Sequence, residues 1–200
     1  MWKLKEPNPV KLIVGILAAN YQCLHSAAHA LTDKFGNADF TSEVWPFDKT
    51  DYYKEQTGPR ILRQFVSIER LIHPEKLAKI KLRTNKLEQK LAKRLGIPVS
   101  RPVNLDPGII EPSKLVLATT KNYSHRIYIG RKMYAEVTLM FNKGSWQPLG
   151  HTYPDYRQQC YFDFFDKVRT RLLEQLKSSH RARTSATLPS QPQRNDLDYG

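Results

Sequence analysis

The stretch that decides the fold spans residues 11–36 and reads KLIVGILAA followed by NYQCLHSAAHALTDKFG. Its first part, 11–19, is an almost wholly apolar run without alternation, which predicts a central strand covered on both faces. Asn20 is a favourable N-cap for the helix that follows, whose apolar residues recur at helical spacing until Gly36 ends it. A buried strand that leads directly into an amphipathic helix favours a domain that mixes α and β structure.

Downstream segments extend this pattern. Alternating residues at 38–47 and 61–72 predict two strands, Pro74 opens a long helix that ends near Leu95, and 103–105 predicts a short strand. The order β-α-β-β-α-β matches the split β-α-β pattern of ferredoxin-like sandwiches. We therefore expect an α+β fold with a ferredoxin-like first half.

The second half is expected to extend that unit. Residues 112–119 predict a short helix with Pro112 in its first turn, and 126–149 predicts a three-strand antiparallel meander. Pro154 is expected to start a C-terminal helix with a wide apolar face.

The composition divides the chain into three parts. Residues 9–177 are expected to form a single domain that buries about two-thirds of its unfolded surface, preceded by an N-terminal arm at 1–8. The last segment, 178–200, is rich in Ser, Thr, Pro and Arg and has few large aliphatic residues. Such a composition cannot offset the entropy cost of ordering, so we predict a disordered basic and polar tail.

Composition also limits the cellular setting and the partners. The formal net charge of +13 favours a polyanionic partner such as nucleic acid, but it is equally typical of a solubility feature. The two cysteines, Cys23 and Cys160, lie in apolar helical patterns and are expected to be reduced and buried. Since no apolar run reaches about 18 residues and the N-terminus lacks the sections of a secretion signal, we expect a cytoplasmic protein without a membrane partner.

A polar run from Asn104 to Glu136 contains the main candidate site. It places carboxylate, amide, hydroxyl and cationic side chains between short apolar segments punctuated by Pro and Gly. Such groups, brought together on short strands and turns, are typical of a pocket for a small charged ligand, and the cations are expected to meet phosphate directly. The candidate ligand-binding residues in this run are Asn104, Asp106, Lys114, Thr120, Lys121, Arg126 and Tyr134.

Two further carboxylates lie in PFDKTDYY, residues 46–53. Asp48 and Asp51 are candidates for the same site, and with Asp106 they are candidate ligands of Mg²⁺, which would in turn hold phosphate. The alternative is local: Asp48 caps a turn, and Asp106 accepts hydrogen bonds from the amides of an Asp-Pro-Gly turn. The cofactor is otherwise unknown.

Two residues are candidates for catalysis. Histidine is the side chain whose unperturbed pKa lies near neutrality, so His125 is a candidate general acid or base. Glu136 interrupts the apolar strand MYAEVTLMF, where alternation places it on one face with Tyr134 and Thr138. The alternatives are a hydrogen-bonded structural histidine and a carboxylate that meets water, so the pattern does not decide whether the protein is an enzyme.

Several catalytic and metal-binding motifs are absent from the sequence. The chain has no G-x-x-x-x-G-K-S/T loop, which excludes an ordinary P-loop GTPase, and it has no C-x-x-C pair and no G-x-S-x-G elbow. His25 and His29 have a metal-ligand spacing, but they lie beside an apolar stripe with no acidic residue between them.

The helix predicted at 74–95 has a basic face. Cations on one helix face can neutralise several phosphates of a nucleic acid. The residues of this face that are candidates for such contacts are Lys79, Arg83, Lys86 and Lys90. The face lacks interleaved aromatic residues that would stack on bases, and a solvated helix surface is the alternative.

The sequence contains six longer strings in order between Val10 and Leu173: PFDKTDYY, RLIHPEKLAKIKLRTN, VNLDPG, SKLVLATTKNYSHRIY, YAEVTL and TYPDYR. Together they resemble a bacterial family catalogued only as a domain of unknown function, number four-four-one-six. The resemblance implies a bacterial cytoplasmic protein of one domain and brings no established activity or catalytic residue. It draws attention to Tyr153, Asp155, Tyr156 and Arg157 in the last string.

The functional prediction is a polar cleft that binds a small anionic ligand, such as a nucleotide or another phosphorylated metabolite. Two alternatives stay open: an RNA-binding or ribosome-associated module that uses the helix at 74–95, and a non-enzymatic scaffold or interaction protein. The first prediction requires that acids and cations distant in the sequence converge on one hollow.

Overall fold

A fully buried strand lies inside the sheet. The computed structural model describes residues 2, 4–48 and 54–186. All eight residues of β1 (Lys11–Ala18) are buried, and the strand pairs antiparallel with β4 (Ile61–Ile68) on one side and β5 (Val103–Glu111) on the other. The predicted central strand covered on both faces is confirmed.

The strands of the described residues form one open antiparallel sheet. Beside the three central strands these are β2 (Ala38–Thr41), β3 (Trp45–Phe47), β6 (Lys114–Thr119), β7 (Ile127–Tyr128), β8 (Tyr134–Asn142) and β9 (Ser145–Pro148). Their order is β2-β4-β1-β5-β6-β8-β7, with β3 paired to β4 and β9 to β8. The mixed α and β class is confirmed, but the order differs from that of a four-stranded ferredoxin-like sandwich, since the sheet continues beyond β5.

Helices follow the capping signals of the sequence. Asn20 caps the first helix, and its side-chain oxygen accepts a hydrogen bond from the N–H of Cys23 at 2.8 Å. Gly36, at a φ of 105°, ends that helix. The described helices are α1 (Tyr21–Phe35), α2 (Lys54–Thr57), α3 (Leu77–Leu95) and α4 (Gln159–Ala186), with 3₁₀ turns at Pro74–Lys76 and Pro154–Arg157. None of these helices combines the length and the apolar composition needed to cross a membrane.

The core has two layers, one on each face of the sheet. α1 and α3 pack on the face that carries Leu12 and Val14, whereas α4 packs on the opposite face against Ile13 and Phe65. In the second layer Phe65 meets Tyr161 edge-on at a ring-centroid distance of 4.8 Å. Both faces of β1 are therefore shielded from solvent, which explains its continuous apolar sequence.

Two predictions in the middle of the chain are wrong. The segment 112–119, predicted as a short helix, forms β6, and the strand predicted at 103–105 continues to Glu111. Glu111 pairs with Lys114, so only two residues, 112 and 113, turn between the strands. Pairing on both sides of β6 outweighs the local helical preference of its leucine-rich sequence.

The C-terminal helix differs from its expected bounds at both ends. It begins at Gln159, because Pro154 starts a separate 3₁₀ turn. It continues to Ala186, so residues 178–186 of the predicted disordered tail are helical. The rest of that tail, 187–200, lies outside the described residues, and the described residues of the arm, 2 and 4–8, form neither helix nor strand.

β5 and β6 pair over only part of their lengths. Gly108–Glu111 pairs with Lys114–Leu117. On the other side of Gly108, β5 stays paired with β1 back to Val103, while β6 continues to Thr119 against β8. The two strands therefore diverge, and we call the gap between them the fork.

Asp-Pro-Gly, residues 106–108, marks the point of divergence. Pro107 has no N–H and cannot donate to a neighbouring strand. Gly108 allows the closest approach of β6, because a Cβ there would lie 2.6 Å from Leu117 Cδ2 and 2.7 Å from the Val116 carbonyl oxygen. The tripeptide that suggested a turn thus lies within β5 and closes the fork.

We expect Gly108→Ala to lower the free energy of unfolding by about 1–3 kcal/mol, because the added methyl group forces apart two packed strands. Urea unfolding followed by circular dichroism measures the change. Gly150→Ala is the matched control: a Cβ at Gly150 meets no atom within 4 Å, and its effect should stay within about 0.5 kcal/mol. Equal effects of the two substitutions would contradict the close approach at the fork.

Candidate functional site

The fork opens into a cleft of about 1110 Å³. Its walls come from α3, from the diverging ends of β5 and β6, and from the 3₁₀ turn at Pro154–Arg157. Arg63 of β4 and Glu136 of β8 also belong to the lining. Segments distant in the sequence therefore meet at one hollow.

Side chains of α3 take the place of the missing strand partner at the fork. Lys81 Nζ donates to the Leu105 carbonyl oxygen at 2.8 Å, and Glu88 Oε1 accepts from the Leu105 N–H at 2.8 Å. Both side chains are buried, in a region where an unpaired backbone group would cost about as much as a lost hydrogen bond. The helix thus lets β5 part from β6 without leaving its backbone unsatisfied.

A chain of hydrogen bonds continues from Glu88 along this wall. Arg101 donates through Nε and Nη2 to Glu88 Oε2 at 3.1 and 2.8 Å, and it also donates to Asn104 Oδ1. Asn104 Nδ2 donates to Asp106 Oδ2 at 2.6 Å, and Lys81 Nζ lies 3.3 Å from Asp106 Oδ1. The polar groups of the wall are therefore fixed relative to one another.

Glu136 organises the opposite wall. Its buried Oε2 accepts from Arg126 Nε at 2.8 Å and lies 3.0 Å from His125 Nε2. Arg126 also donates to the Lys121 carbonyl oxygen at 3.1 Å and to the Tyr153 hydroxyl. Burial lowers the pKa of Arg126, but its hydrogen bond with Glu136 and the charge interaction with Tyr153 outweigh that effect, and the net pKa is raised. The guanidinium therefore stays charged.

The hydrogen bonds of two stacked histidines indicate their tautomers. The rings of His125 and His151 lie 4.1 Å apart at an interplanar angle of 13°. His151 Nε2 lies 2.9 Å from the Val137 carbonyl oxygen and must donate to it, since a carbonyl only accepts. By the same reasoning His125 Nε2 donates to the ion-paired Glu136 carboxylate, which leaves Nδ1 as the nitrogen that accepts a proton.

A buried arginine lies at the base of the cleft. Arg63 is 3% exposed, and its Nη2 donates to Asp155 Oδ2 at 2.7 Å. Its guanidinium carbon lies 5.0 Å from the Phe47 ring centroid and 5.6 Å from that of Tyr156. Burial lowers the pKa of Arg63, but Tyr156 and Asp155 outweigh it and raise the pKa. Nε and Nη1 have no partner with hydrogen-bond geometry among the described residues.

Cations outnumber carboxylates around the cleft. Its lining contains six cations and four carboxylates. The cations are Arg63, Lys81, Lys93, Arg101, Lys121 and Arg126, and the carboxylates are Glu88, Asp106, Glu136 and Asp155. The excess of positive charge favours an anion over a cation as the occupant.

Much of the site predicted from the sequence does converge here. Six of the candidates line the cleft: Asn104, Asp106, Thr120, Lys121, Arg126 and Glu136. His125 contacts Glu136 beside the cleft. The requirement that distant acids and cations share one hollow is therefore met for these residues.

Other candidates lie elsewhere. Lys114 is at the turn between β5 and β6, where its Nζ donates to Glu111 Oε2 at 2.6 Å. Tyr134 packs against Tyr128 at a ring-centroid distance of 5.5 Å and is not part of the lining. Asp48 is exposed and absent from the lining. Asp51 lies outside the described residues.

The acidic residues that we considered for Mg²⁺ do not come together in the part of the chain that is described. No group of three or more His, Cys, Asp or Glu side chains there is arranged to hold a metal ion. Asp106 instead contacts Lys81 and Asn104. The nucleic-acid candidates on α3 are all exposed: Lys79, Arg83, Lys86 and Lys90.

Sequence reasoning missed several charged residues of the cleft, namely Arg63, Lys81, Glu88 and Arg101. On α3 the pattern that could have revealed Lys81 and Glu88 is a stripe of residues spaced alternately four and three apart. All five residues of the stripe are buried: Leu77, Lys81, Thr84, Glu88 and Leu91. Polar residues within a core-facing stripe need partners, and that requirement could have located this wall. Arg63 lies among apolar residues of β4, and this local sequence does not indicate that its side chain reaches the cleft.

Comparison with known proteins adds a family but no activity. The family model described as "Domain of unknown function (DUF4416)" matches residues 8–172. Neither the curated proteins nor the solved structures contain a match. The resemblance inferred from the sequence strings is confirmed.

We expect Glu136→Gln to lower the free energy of unfolding by about 3 kcal/mol, because it leaves the buried Arg126 guanidinium without its counter-ion. Chemical unfolding provides the measurement. The double variant Arg126→Gln/Glu136→Gln should lose less than the sum of the two single variants, since neither charge is then left alone. Additive losses would show that the two side chains do not interact.

A pH dependence follows from Glu88. Burial raises the pKa of Glu88 above its usual 4.5, despite the nearby Lys81 and Arg101. The folded state therefore binds this proton at a higher pH than the unfolded state does, and the contribution to stability is lost as pH rises through the raised pKa. The stability of the wild type relative to Glu88→Gln should increase as pH falls from 7 toward 4.5. Urea titrations across this range test it, and a constant difference would refute it.

Proposed function

This chain belongs to the DUF4416 family, and we propose that it binds a small anionic ligand, a nucleotide or another phosphorylated metabolite, in the fork cleft. The observation that carries the proposal is the excess of cations over carboxylates in a hollow where two strands of the sheet part. An interior gap in a sheet has a cost in lost strand pairing. A ligand-binding role for the polar lining, which side-chain hydrogen bonds hold in place, would explain why the gap is retained.

The size of the cleft suits a ligand of this class. A volume of about 1110 Å³ is slightly above the range of ordinary small-molecule pockets, which measure about 300–1,000 Å³. Thr119 and Thr120 add hydroxyl groups to the lining beside Lys121. Tyr153, 44% exposed, presents a ring at the cleft for stacking on a planar group.

Donors remain for a phosphate after the internal hydrogen bonds are made. Arg126 has five N–H groups, and three of its hydrogen bonds go to Glu136, Lys121 and Tyr153. The remaining N–H groups are on its two terminal nitrogens. Phosphate oxygens favour such preorganised, charged donors because little side-chain entropy is lost on binding.

The Glu136–His125 pair supplies a proton-transfer group beside the ligand. Glu136 orients the His125 ring and holds Nε2 as a donor, so that Nδ1 is the base. We propose His125 as the residue that moves a proton if the ligand reacts. Glu136, paired with Arg126, acts as the positioning residue.

The basic face of α3 supports a second candidate function, nucleic-acid binding by Lys79, Arg83, Lys86 and Lys90, which are exposed together. The face has no aromatic residue among these cations, so contacts there would be to phosphate alone. A scaffold role without a ligand is the third candidate.

We also propose that the first half of the domain is related to the ferredoxin-like fold. The support for it is that β4 and β5 flank β1, antiparallel to it, and that β2 lies outside β4. The continuation through β6 and the covering by α4 are the departures from that plan.

Isothermal titration with pyrophosphate, ADP and ribose 5-phosphate tests the ligand proposal. At least one probe should bind, and Lys121→Gln should weaken that binding about tenfold, as expected for the loss of one charge-assisted hydrogen bond. Lys90→Gln is the matched control, since Lys90 is an exposed lysine outside the cleft lining. Binding of none of the probes, or equal losses in the two variants, would refute the proposal.

A further inference from the structure

The hairpin of β7 and β8 has an unusual turn. Its turn, Gly130–Met133, is closed by a hydrogen bond from the Met133 N–H to the Gly130 carbonyl oxygen at 3.0 Å. The central residues, Arg131 and Lys132, have φ values of 57° and 63°. Two consecutive positive φ values are the pattern of a type I′ turn, for which Asn-Gly is the preferred sequence.

The residues in this turn are unfavourable for its backbone. Left-handed backbone costs free energy for any residue with a Cβ, and Asn or Gly would lower that cost. The chain instead has two long cations side by side at the tip, both exposed. Strained residues of this kind are enriched at functional sites.

An exposed aromatic ring lies beside the two cations, and a second lies in the loop before β7. Tyr128, next to the turn, is 59% exposed, and Tyr123, whose ring lies 5.4 Å from that of His125, is 66% exposed. The Tyr128 hydroxyl accepts a hydrogen bond from the Lys132 N–H at 3.3 Å, which ties the ring to the turn. The Tyr134 ring packs edge-on against Tyr128 at 5.5 Å. The hairpin thus holds Tyr128 in place while leaving much of its surface to solvent.

The rings and the cleft residues lie on the same face of the sheet. Tyr128 is two residues from Arg126, and it pairs with Tyr134, which is two residues from Glu136. Because side chains alternate between faces, these four side chains lie on one face. A ligand that lies along the tyrosines therefore passes beside the cleft.

We propose that the β7–β8 hairpin binds single-stranded nucleic acid, with bases stacked on Tyr128 and Tyr123 and with phosphates contacting Arg131 and Lys132. Aromatic rings beside cations are the combination that single-strand binding uses: every base has a face that stacks, and every nucleotide brings a phosphate. A duplex hides its base faces and fits poorly.

Charge favours an anionic occupant, and the exposed rings favour a nucleic-acid strand over a lipid surface because bases offer planar faces for stacking. The chain has a net charge of +13, and cations rather than aliphatic side chains form the hairpin tip. The basic face of α3 lacks the rings that the hairpin has, so the hairpin is the more complete of the two surfaces. This inference is independent of the proposed function of the cleft.

The turn itself provides a sharp test. Fluorescence anisotropy with labelled 12-nucleotide oligo-U and oligo-dT measures binding by the full chain, and a 12-base-pair duplex serves as comparison. Arg131→Asn should raise Tm by about 1–3 °C, because Asn tolerates left-handed backbone better. The same substitution should weaken single-strand binding about fivefold at 0.1 M salt and lower the salt slope by about 0.7, as expected for one lost phosphate contact.

The chain offers a matched control. Lys143 has a φ of 49° in the turn between β8 and β9, at the far end of β8, about 30 Å from the first turn at the usual rise of a strand. Lys143→Asn removes the same charge and relieves the same strain, so it should raise Tm and leave binding and salt slope unchanged. Equal weakening by Lys143→Asn and Arg131→Asn would overturn the proposal, because the effect would then be one of net charge.

A second variant addresses the rings. Tyr128→Leu keeps an apolar side chain but removes the stacking face, and it should weaken oligo-U binding about tenfold. Tighter binding of oligo-U than of oligo-dT by the wild type would identify RNA as the preferred strand. Tight duplex binding, no single-strand binding at 100 µM protein, or dissociation of a dimer by Arg131→Asn in sedimentation would each overturn the proposal.

Discussion

The structure depends on two hydrogen bonds that a helix makes to the backbone of a strand. Leu105 lies where β5 has lost β6 as a neighbour, and its N–H and carbonyl are satisfied by Glu88 and Lys81 of α3. A sheet that parts in its interior normally leaves such groups unpaired, at a cost that folding does not tolerate. Because two charged side chains meet that need, the gap can remain open and become a cleft.

The same solution fixes the chemistry of the cleft. Buried charges need partners, so Glu88 requires Arg101, and Lys81 is shared with Asp106. Each partner adds another polar group to the wall, so that charged side chains line the diverging ends of β5 and β6. On the other wall the buried Glu136 carboxylate draws in Arg126 and His125 in the same way. The polarity of the site therefore follows from how the strands diverge.

The sequence predicted what local patterns determine. The apolar run of β1, the caps of α1 and the periodicity of α3 each correspond to an element of the structure. It failed at β6, where strands on both sides stabilise a segment that resembles a helix, and at Asp-Pro-Gly, which resembles a turn. Six site candidates could be found because their segment is unusually polar. Arg63 could not be found from the sequence, because the alternation of a strand does not show which of its residues will contact a carboxylate that is distant in the sequence.

The cleft and the hairpin would respond differently to solution conditions, although both attract anions. In the cleft four of the six cations are paired with carboxylates and at least partly removed from water, so salt screens them weakly and shape contributes to what enters. At the hairpin tip Arg131 and Lys132 are exposed, so salt screens them strongly and the rings supply the remaining affinity. A small phosphate ligand should therefore retain its affinity as ionic strength rises, whereas a strand on the hairpin should lose it. Salt alone thus separates the two sites without any substitution.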